Sequence, residues 1–241
     1  MFPVICHIGP IPVYSYGLML ALAVAVSSQL LARDARKIGI LPDVIYDLVF
    51  WVVVCGILGA RVFYVFLNLN VFVKAPLEIV MLWKGGLAWQ GSFAGGLLAG
   101  ILFIRRYKLP LWPLLDVAAP YIALGQAIGR IGCLLNGCCY GRPASWGLYF
   151  PVWEERLIPT QIFMSLGQLL IFLALRWWAP RLKTPGRVFV MYLVLSSVER
   201  FVIEFFRADH DLYLGLSIFQ YVCIILFAAG LAVNATLKTR R

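Results

Sequence analysis

Residues 44–67 read VIYDLVFWVVVCGILGARVFYVFL. This run is longer than the roughly 20 mostly apolar residues that an α-helix needs to cross the hydrocarbon core of a bilayer. The same character extends along the chain, since 62% of its 241 residues are hydrophobic and only 13% are charged. So few charges cannot cover a water-exposed surface. The sequence therefore predicts a polytopic membrane protein.

Six more apolar runs flank this one. We expect an all-α fold in which residues 1–241 form a single membrane domain, with a short outer loop at residues 137–158. The third span is the least apolar because glycines interrupt it, although closely spaced glycines also allow helices to pack closely. The seven predicted spans are residues 14–31, 44–67, 89–104, 111–135, 159–178, 188–206 and 214–235.

Basic residues are distributed unequally among the connections between these spans. Thirteen lysines and arginines lie near the ends of the first, third, fifth and seventh spans, including Arg176 in the last turn of the fifth, whereas the alternate connections contain four besides Arg207. Because basic residues accumulate on the cytoplasmic side, we expect the N-terminus outside and the C-terminus in the cytoplasm. Much of the formal net charge of +10 then comes from basic residues that orient the spans in the membrane. A nucleic-acid partner is therefore not expected.

Four arginines lie inside or at the outer ends of these apolar runs, namely Arg61, Arg130, Arg200 and Arg207. An ionised guanidinium is costly at membrane depth, so it usually faces the protein interior and binds an anion or a carboxylate. Each arginine alone is equally explained by a side chain that reaches the outer interface. All four fall in the predicted outer half of the membrane, and together they indicate a phosphate-binding site.

Glu204 is expected beside two of these arginines. It lies four residues after Arg200 and three before Arg207, and a helix would place all three on one face. One arginine is enough to neutralise the carboxylate. The second leaves positive charge that can bind a phosphate through two hydrogen bonds.

Arg130 is expected at the end of the fourth span. Glycines follow it, and they would let exposed backbone N–H groups approach an anion. Asn136 and Gln90 lie at the same predicted depth. Together with Arg61, they are our further candidates for substrate binding.

Three cysteines, Cys133, Cys138 and Cys139, cluster beside Arg130 at the predicted outer face, where Cys6 also lies. A metal site would normally show two spaced cysteine pairs or added histidines, and the sequence has neither, so no metal is predicted. Packing, a disulfide such as Cys133–Cys138 and a thiolate activated by Arg130 all stay open. Cys138 and Cys139 are the candidates for a thiol function.

Residues 129–142, GRIGCLLNGCCYGR, resemble the signature of the bacterial prolipoprotein diacylglyceryl transferases, which usually reads Gly-Arg-x-Gly-Asn-Phe-x-Asn-Gly-Glu. The resemblance continues in order over nearly the whole chain. The other matching segments are Ile8-Gly9-Pro10, Tyr16-Gly17-Leu18-Met19, residues 59–65, Gly85-Gly86-Leu87 with Gly91, Pro159-Thr160-Gln161, residues 200–207, and Gly215-Leu216-Ser217 with Gln220.

The resemblance implies transfer of the diacylglyceryl group of phosphatidylglycerol to the lipobox cysteine of a prolipoprotein, at the outer face of the bacterial cytoplasmic membrane. Such chemistry needs positive charge on the departing phosphate and a lowered thiol pKa. We therefore assign Arg130 and Arg200 to the phosphate and Tyr16 to a hydrogen bond in the same chamber. Arg207 and Glu204 are expected to form a supporting pair. No metal, nucleotide or redox cofactor is implied.

The sequence departs from the family at several polar positions. Gln90 replaces a histidine that the family commonly has, and Cys133 and Cys138 replace the asparagine and glutamate of the signature. Three functions therefore stay open. The chain is a transferase for this or another acceptor, or it binds or moves phospholipid without catalysis, or Cys138 or Cys139 carries a lipid covalently or forms a redox pair.

Overall fold

The computed structural model describes residues 1–9, 11–73, 75–81, 85–182, 184–208 and 212–239. The chain divides into two compact units. The larger unit comprises Met1–Leu31 and Trp112–Arg241, and the smaller unit comprises Ala32–Leu111. Helices make up most of both units.

The described residues contain a long helix at each of the seven predicted spans, with bounds close to the predicted ones. These helices are α1 (Ser15–Ala35), α2 (Pro42–Leu67), α3 (Trp89–Arg106), α4 (Leu111–Asn136), α5 (Thr160–Trp178), α6 (Arg187–Glu204) and α7 (Ile218–Thr239). Shorter pieces lie between them, a one-turn α-helix at Leu69–Phe72 and 3-10 turns at Arg36–Ile38, Pro76–Val80 and Ala179–Arg181.

Five of the long helices, α1, α2, α4, α5 and α7, are long and apolar enough to cross a membrane. Large apolar side chains on α2 are exposed, with Val62 at 69% and Phe66 at 66%, as expected for a surface that faces lipid rather than water. The prediction of a polytopic membrane protein is thus confirmed. α3 and α6 are not among these five helices, so seven crossings and the orientation of the termini stay predictions.

Three short antiparallel hairpins correct the prediction of an all-α fold. They pair β1 (Val4–Ile8) with β2 (Ile11–Tyr14), β3 (Pro143–Phe150) with β4 (Glu155–Leu157), and β5 (Leu212–Tyr213) with β6 (Leu216–Ser217). Five of these six strands have five residues or fewer, and an alternating pattern does not stand out over such lengths in an apolar sequence. The β3–β4 hairpin lies in the predicted outer loop, where the Trp153 indole N–H donates a hydrogen bond to the Gly137 carbonyl at 3.1 Å.

In the smaller unit, α2 and α3 contact each other along glycines. A Cβ atom added to Gly59 or Gly91 would collide with the carbonyl oxygen of the other, and one added to Gly95 would collide with the Cys55 carbonyl. The two backbones therefore approach more closely than any residue with a side chain allows. This contact accounts for the glycine-rich sequence of the third span.

We expect Gly91→Ala to lower the melting temperature of the purified protein in detergent far more than Gly100→Ala. A Cβ on Gly91 meets the backbone of Gly59, whereas a Cβ on Gly100 makes an ordinary 3.6 Å contact with Val52 Cγ2. Overpacking costs about 1–3 kcal/mol, and a facing backbone cannot move aside as a side chain can. Equal melting temperatures for the two variants would contradict this packing.

In the larger unit, α4, α5 and α6 share a hydrophobic core. This core consists of Ala119, Ala123, Ile171, Leu175, Val188 and Tyr192. Asp116 on α4 fixes the beginning of α6, because its carboxylate accepts hydrogen bonds from the backbone N–H groups of Gly186 at 2.6 Å and Phe189 at 2.9 Å. These are N–H groups that a first helical turn leaves without intrahelical partners. The core and the cap together position α6, which carries two of the predicted site residues.

Candidate active site

The end of α4 carries the central residues of the signature. Gly137 has φ +74°, its N–H donates to the Leu134 carbonyl at 3.2 Å, and the Cys138 N–H donates to the Cys133 carbonyl at 3.1 Å. This pair of bonds is the way in which a left-handed glycine closes a helix. It folds Cys138 back onto Cys133, and the Asn136 side chain lies near the Cys138 sulfur.

Two buried side chains at the beginning of α5 hold this turn. The Gln161 amide donates to the Cys138 carbonyl at 2.6 Å, and the Thr160 hydroxyl donates to the Cys139 carbonyl at 2.7 Å. Thr160 is 0% exposed and Gln161 is 1% exposed. Cys139 has φ +62°, a conformation that is strained for a residue with a side chain and that persists only when its surroundings impose it.

The turn brings three thiols together. The sulfur atoms of Cys133, Cys138 and Cys139 all lie within 4.8 Å of one another, and the six cysteines of the chain are free thiols. The Cys138 thiol donates a hydrogen bond to the Cys133 carbonyl at 3.7 Å. The neighbouring Cys133 and Cys138 side chains, together with the positive charges of Arg207 and Arg130, lower the pKa of the Cys139 thiol.

Arg130 lies in the last two turns of α4, whose end at Asn136 is within one residue of the predicted span of residues 111–135. The helix continues to Asn136, so Gly132 has helical backbone and does not present an exposed N–H group to an anion. Gly132 instead allows α1 to approach. A Cβ there would lie 3.0 Å from Met19 Cβ and 3.4 Å from Tyr16 Cδ2. This contact places the predicted site residue Tyr16 against α4.

Arg130 and Arg200 line one cavity of about 240 Å³ in the larger unit. Within the described part of the chain, no hydrogen bond or salt bridge engages the Arg130 guanidinium. Its five N–H donors are therefore available to a ligand. An anion such as a phosphate matches both the charge and the planar donor geometry.

Arg200, by contrast, is held by protein groups. Its Nη2 atom forms a 2.8 Å salt bridge with Glu204 Oε2, and its guanidinium lies 5.1 Å from the centre of the Phe219 ring. The other Glu204 oxygen accepts a hydrogen bond from the Ser217 hydroxyl at 2.9 Å. Glu204 thus orients Arg200 and links the end of α6 to the beginning of α7.

The prediction that Arg200, Glu204 and Arg207 share one helical face is wrong, because α6 ends at Glu204. Arg207 lies in the following turn and pairs with Gly141 in an isolated antiparallel bridge. Arg207 is 8% exposed and interacts electrostatically with Cys139. Arg207 therefore adds positive charge beside the thiol cluster.

Arg61 and Gln90 belong to the smaller unit, where Gln90 is exposed in the first turn of α3. The Arg61 side chain donates to backbone carbonyls between residues 78 and 86. Its partners are Glu78, Ile79 at 2.8 Å, Met81 at 3.4 Å, Gly85 at 2.6 Å and Gly86 at 2.9 Å. These five bonds use all of its N–H donors, so we now propose that Arg61 holds this segment and does not bind substrate.

We expect Arg61→Lys to loosen residues 78–81 and 85–86 although it keeps the charge. An ammonium has three donors at one point and cannot reach carbonyls that a planar guanidinium contacts through three nitrogens. Because a hydrogen bond to a charged group contributes about 1.5–3 kcal/mol, limited proteolysis within this segment should become at least about tenfold faster. Arg105→Lys, at an exposed position near the end of α3, is the control, and equal cleavage rates would contradict this role.

Sequence reasoning missed two polar pairs that line the cavity beside Arg130. The Gln168 amide donates to the Glu199 carboxylate at 2.6 Å, and the Gln126 amide donates to the Tyr192 hydroxyl at 2.6 Å. Each of these residues interrupts a predicted apolar span. The signal that identified the arginines, a polar group at membrane depth, would therefore have found them as well.

Comparison with known proteins shows the family of the chain. The sequence model of the prolipoprotein diacylglyceryl transferase family matches residues 3–236. The phosphatidylglycerol–prolipoprotein diacylglyceryl transferase of Nostoc sp. is 36% identical over an alignment that covers 99% of this chain and 90% of that protein. Proteins of the same name from Synechococcus elongatus and Geobacillus kaustophilus are 38% and 35% identical, each over 95% of this chain and over 84% and 90% of their own lengths. The chain therefore belongs to the prolipoprotein diacylglyceryl transferase family.

Proposed function

We propose that this chain transfers the diacylglyceryl group of phosphatidylglycerol to the lipobox cysteine of a prolipoprotein. The names of its curated relatives state this lipid and this class of acceptor. In the reaction, the acceptor sulfur forms a bond to the glyceryl carbon while the bond between that carbon and the phosphate oxygen breaks. The electron pair leaves with glycerol phosphate, the thiol proton passes to solvent, and the protein product is a thioether.

The observation that carries this proposal is the Arg130 guanidinium, which faces the cavity without a partner among the described residues. Two of its N–H groups match two phosphate oxygens, and positive charge at that point stabilises the negative charge that develops as the carbon–oxygen bond breaks. Arg200 supplies a second positive charge in the same cavity. Tyr16, beside Gly132 on α4, is proposed as a further hydrogen-bond donor to the substrate.

A second cavity supports a lipid substrate. It has a volume of about 200 Å³ and an almost entirely apolar lining, and it shares Ser197 and Cys223 with the cavity that contains the arginines. One cavity is thus lined in part by charged side chains and the other by apolar ones. A phospholipid likewise has a charged headgroup and apolar chains. We propose that the headgroup phosphate binds beside Arg130 and that an acyl chain occupies the apolar cavity.

We place the reaction at the outer face of the cytoplasmic membrane. The distribution of basic residues supports this orientation, since it assigns the end of α4 and the residues that follow α6 to the outer side. The acceptor is then a protein whose lipobox has already reached that side. The active site would take its lipid from the surrounding bilayer.

The test uses the purified full-length chain in micelles that contain phosphatidylglycerol and a synthetic lipobox peptide. Mass spectrometry should show a gain of one diacylglyceryl group on the peptide, with an equal amount of glycerol phosphate released. A peptide with serine in place of the lipobox cysteine is the control and should not react. If a preparation that binds phosphatidylglycerol gives neither signal, the proposed transfer is wrong and the chain is a lipid-binding protein.

A further inference from the structure

The thiols of Cys133, Cys138 and Cys139 form a group that the proposed function does not use. Their spacing in the sequence does not resemble paired metal ligands, and we therefore predicted no metal. In the structure, however, the turn at the end of α4 brings the three sulfur atoms to within 4.8 Å of one another. Two sulfurs bound to one tetrahedral ion, with bonds of about 2.3 Å, lie about 3.8 Å apart. The cluster needs only a small contraction to reach that geometry.

The backbone holds these sulfur atoms in position. Cys133 belongs to α4, and the carbonyls of Cys138 and Cys139 accept hydrogen bonds from the buried side chains of Gln161 and Thr160. Groups that are already fixed lose little conformational freedom when they bind a ligand. The strained φ of Cys139 is maintained by the same contacts.

The surrounding charges also suit a metal ion bound by thiolates. Three thiolates around a divalent cation carry a net charge of −1. Arg207 and Arg130 both interact electrostatically with Cys139, and they would compensate that charge. The Asn136 side chain, which lies near the Cys138 sulfur, is the kind of outer partner that orients a metal ligand.

We propose that Cys133, Cys138 and Cys139 bind one Zn²⁺ ion as thiolates and leave its fourth position for an external thiol. Zinc prefers four ligands in a tetrahedron, and sites with three protein ligands keep the fourth position for water or substrate. Among the described residues, no histidine or carboxylate belongs to this group of three sulfurs. The fourth ligand therefore comes from outside the cluster, and its identity as the acceptor cysteine rests on the proposed function.

Zinc at this position would prepare the acceptor for reaction. A thiol that coordinates zinc is deprotonated, and its proton passes to solvent. The bound sulfur then forms the bond to the glyceryl carbon, while the carbon–oxygen bond breaks and its electron pair leaves with the phosphate beside Arg130. The product is a neutral thioether, which is a weaker ligand than a thiolate and dissociates.

Zinc content gives the first test. The reduced full-length chain, loaded with zinc chloride and passed through a desalting column, should retain about one ion per chain by mass spectrometry of the metal. Cys133→Ser, Cys138→Ser and Cys139→Ser should each weaken zinc binding, in competition with a chelator, by more than the roughly 10–100-fold that loss of an outer partner costs. Cys6→Ser, which removes an exposed thiol, should bind as the wild type does.

The proposal is overturned if the reduced wild type retains no more zinc than the triple serine variant, or if its intact mass shows that two of the cysteines have joined in a disulfide. A cobalt-loaded wild type tests the open position without relying on the folding of a variant. Its thiolate-to-cobalt absorption should change when the lipobox peptide is added and should not change with the serine peptide. No change with either peptide overturns the fourth-ligand assignment.

The two hypotheses fail in different ways. Transfer to the lipobox peptide by a chain that binds no zinc would overturn this inference and leave the proposed function intact. Zinc binding with a cobalt response to the thiol peptide, but without transfer from phosphatidylglycerol, would overturn the proposed function and leave the metal site intact.

Discussion

Replacement of Arg130 by alanine is expected to slow diacylglyceryl transfer by at least about 10³-fold, since the loss of one donor aimed at developing charge already costs about 10²–10³-fold. The same change should not lower the melting temperature. Within the described residues the guanidinium has no hydrogen-bond or salt-bridge partner that alanine would leave unsatisfied, and removal of a cation from membrane depth avoids the cost of holding it there. If Arg130→Ala loses activity but keeps its stability, Arg130 acts on the substrate and not on the fold.

Arg130→Lys separates charge from geometry. Lysine keeps a positive charge but lacks the planar pair of donors, so its transfer rate should fall between those of alanine and arginine. Arg105→Ala, at an exposed position in the smaller unit, should leave transfer unchanged. Near-normal turnover in Arg130→Ala, or an activity loss that only follows a lower melting temperature, would show that Arg130 does not bind the phosphate.

The helices could be predicted from the sequence because a membrane imposes a length on them. A run of about 20 apolar residues is visible without knowledge of any contact, and α2 and α5 therefore lie where the sequence places them. The end of α6 could not be predicted in this way. The apolar run continues through Phe206, and α6 ends at Glu204 where the next residues meet a distant segment, in which Gly141 pairs with Arg207.

The sequence predicts only those parts of the site that depend on residues close to one another along the chain. Arg130 stands out because a charge in an apolar run is rare, and Asn136-Gly137 marks the end of a helix. The thiol cluster depends on Thr160 and Gln161 more than twenty positions away, and no pattern around the cysteines indicates that contact. The carbonyl partners of Arg61 likewise depend on the backbone of residues 78–81 and 85–86, which are distant in sequence.

Glu204→Gln is expected to produce the largest loss of stability at the site. The Glu204 side chain is 1% exposed and forms a 2.8 Å salt bridge with Arg200, whose side chain is 19% exposed. Removal of one partner from a buried pair costs about 3 kcal/mol or more because the other charge is left uncompensated. For a chain of this length that corresponds to a decrease of roughly 6–12 °C in melting temperature. Glutamine has nearly the same shape and still accepts a hydrogen bond from Ser217, so the change isolates the charge.

The double variant Arg200→Met/Glu204→Gln distinguishes stability from catalysis. Removing both charges together is often close to neutral because neither is left alone in the interior, and the melting temperature should return to within about 3 °C of the wild type. Transfer should stay low, since the second positive charge in the cavity is gone. If the double variant melts no higher than Glu204→Gln, the salt bridge is not what stabilises the end of α6. If it transfers the diacylglyceryl group at the wild-type rate, Arg200 has no part in binding the phosphate, and Arg130 alone carries that role.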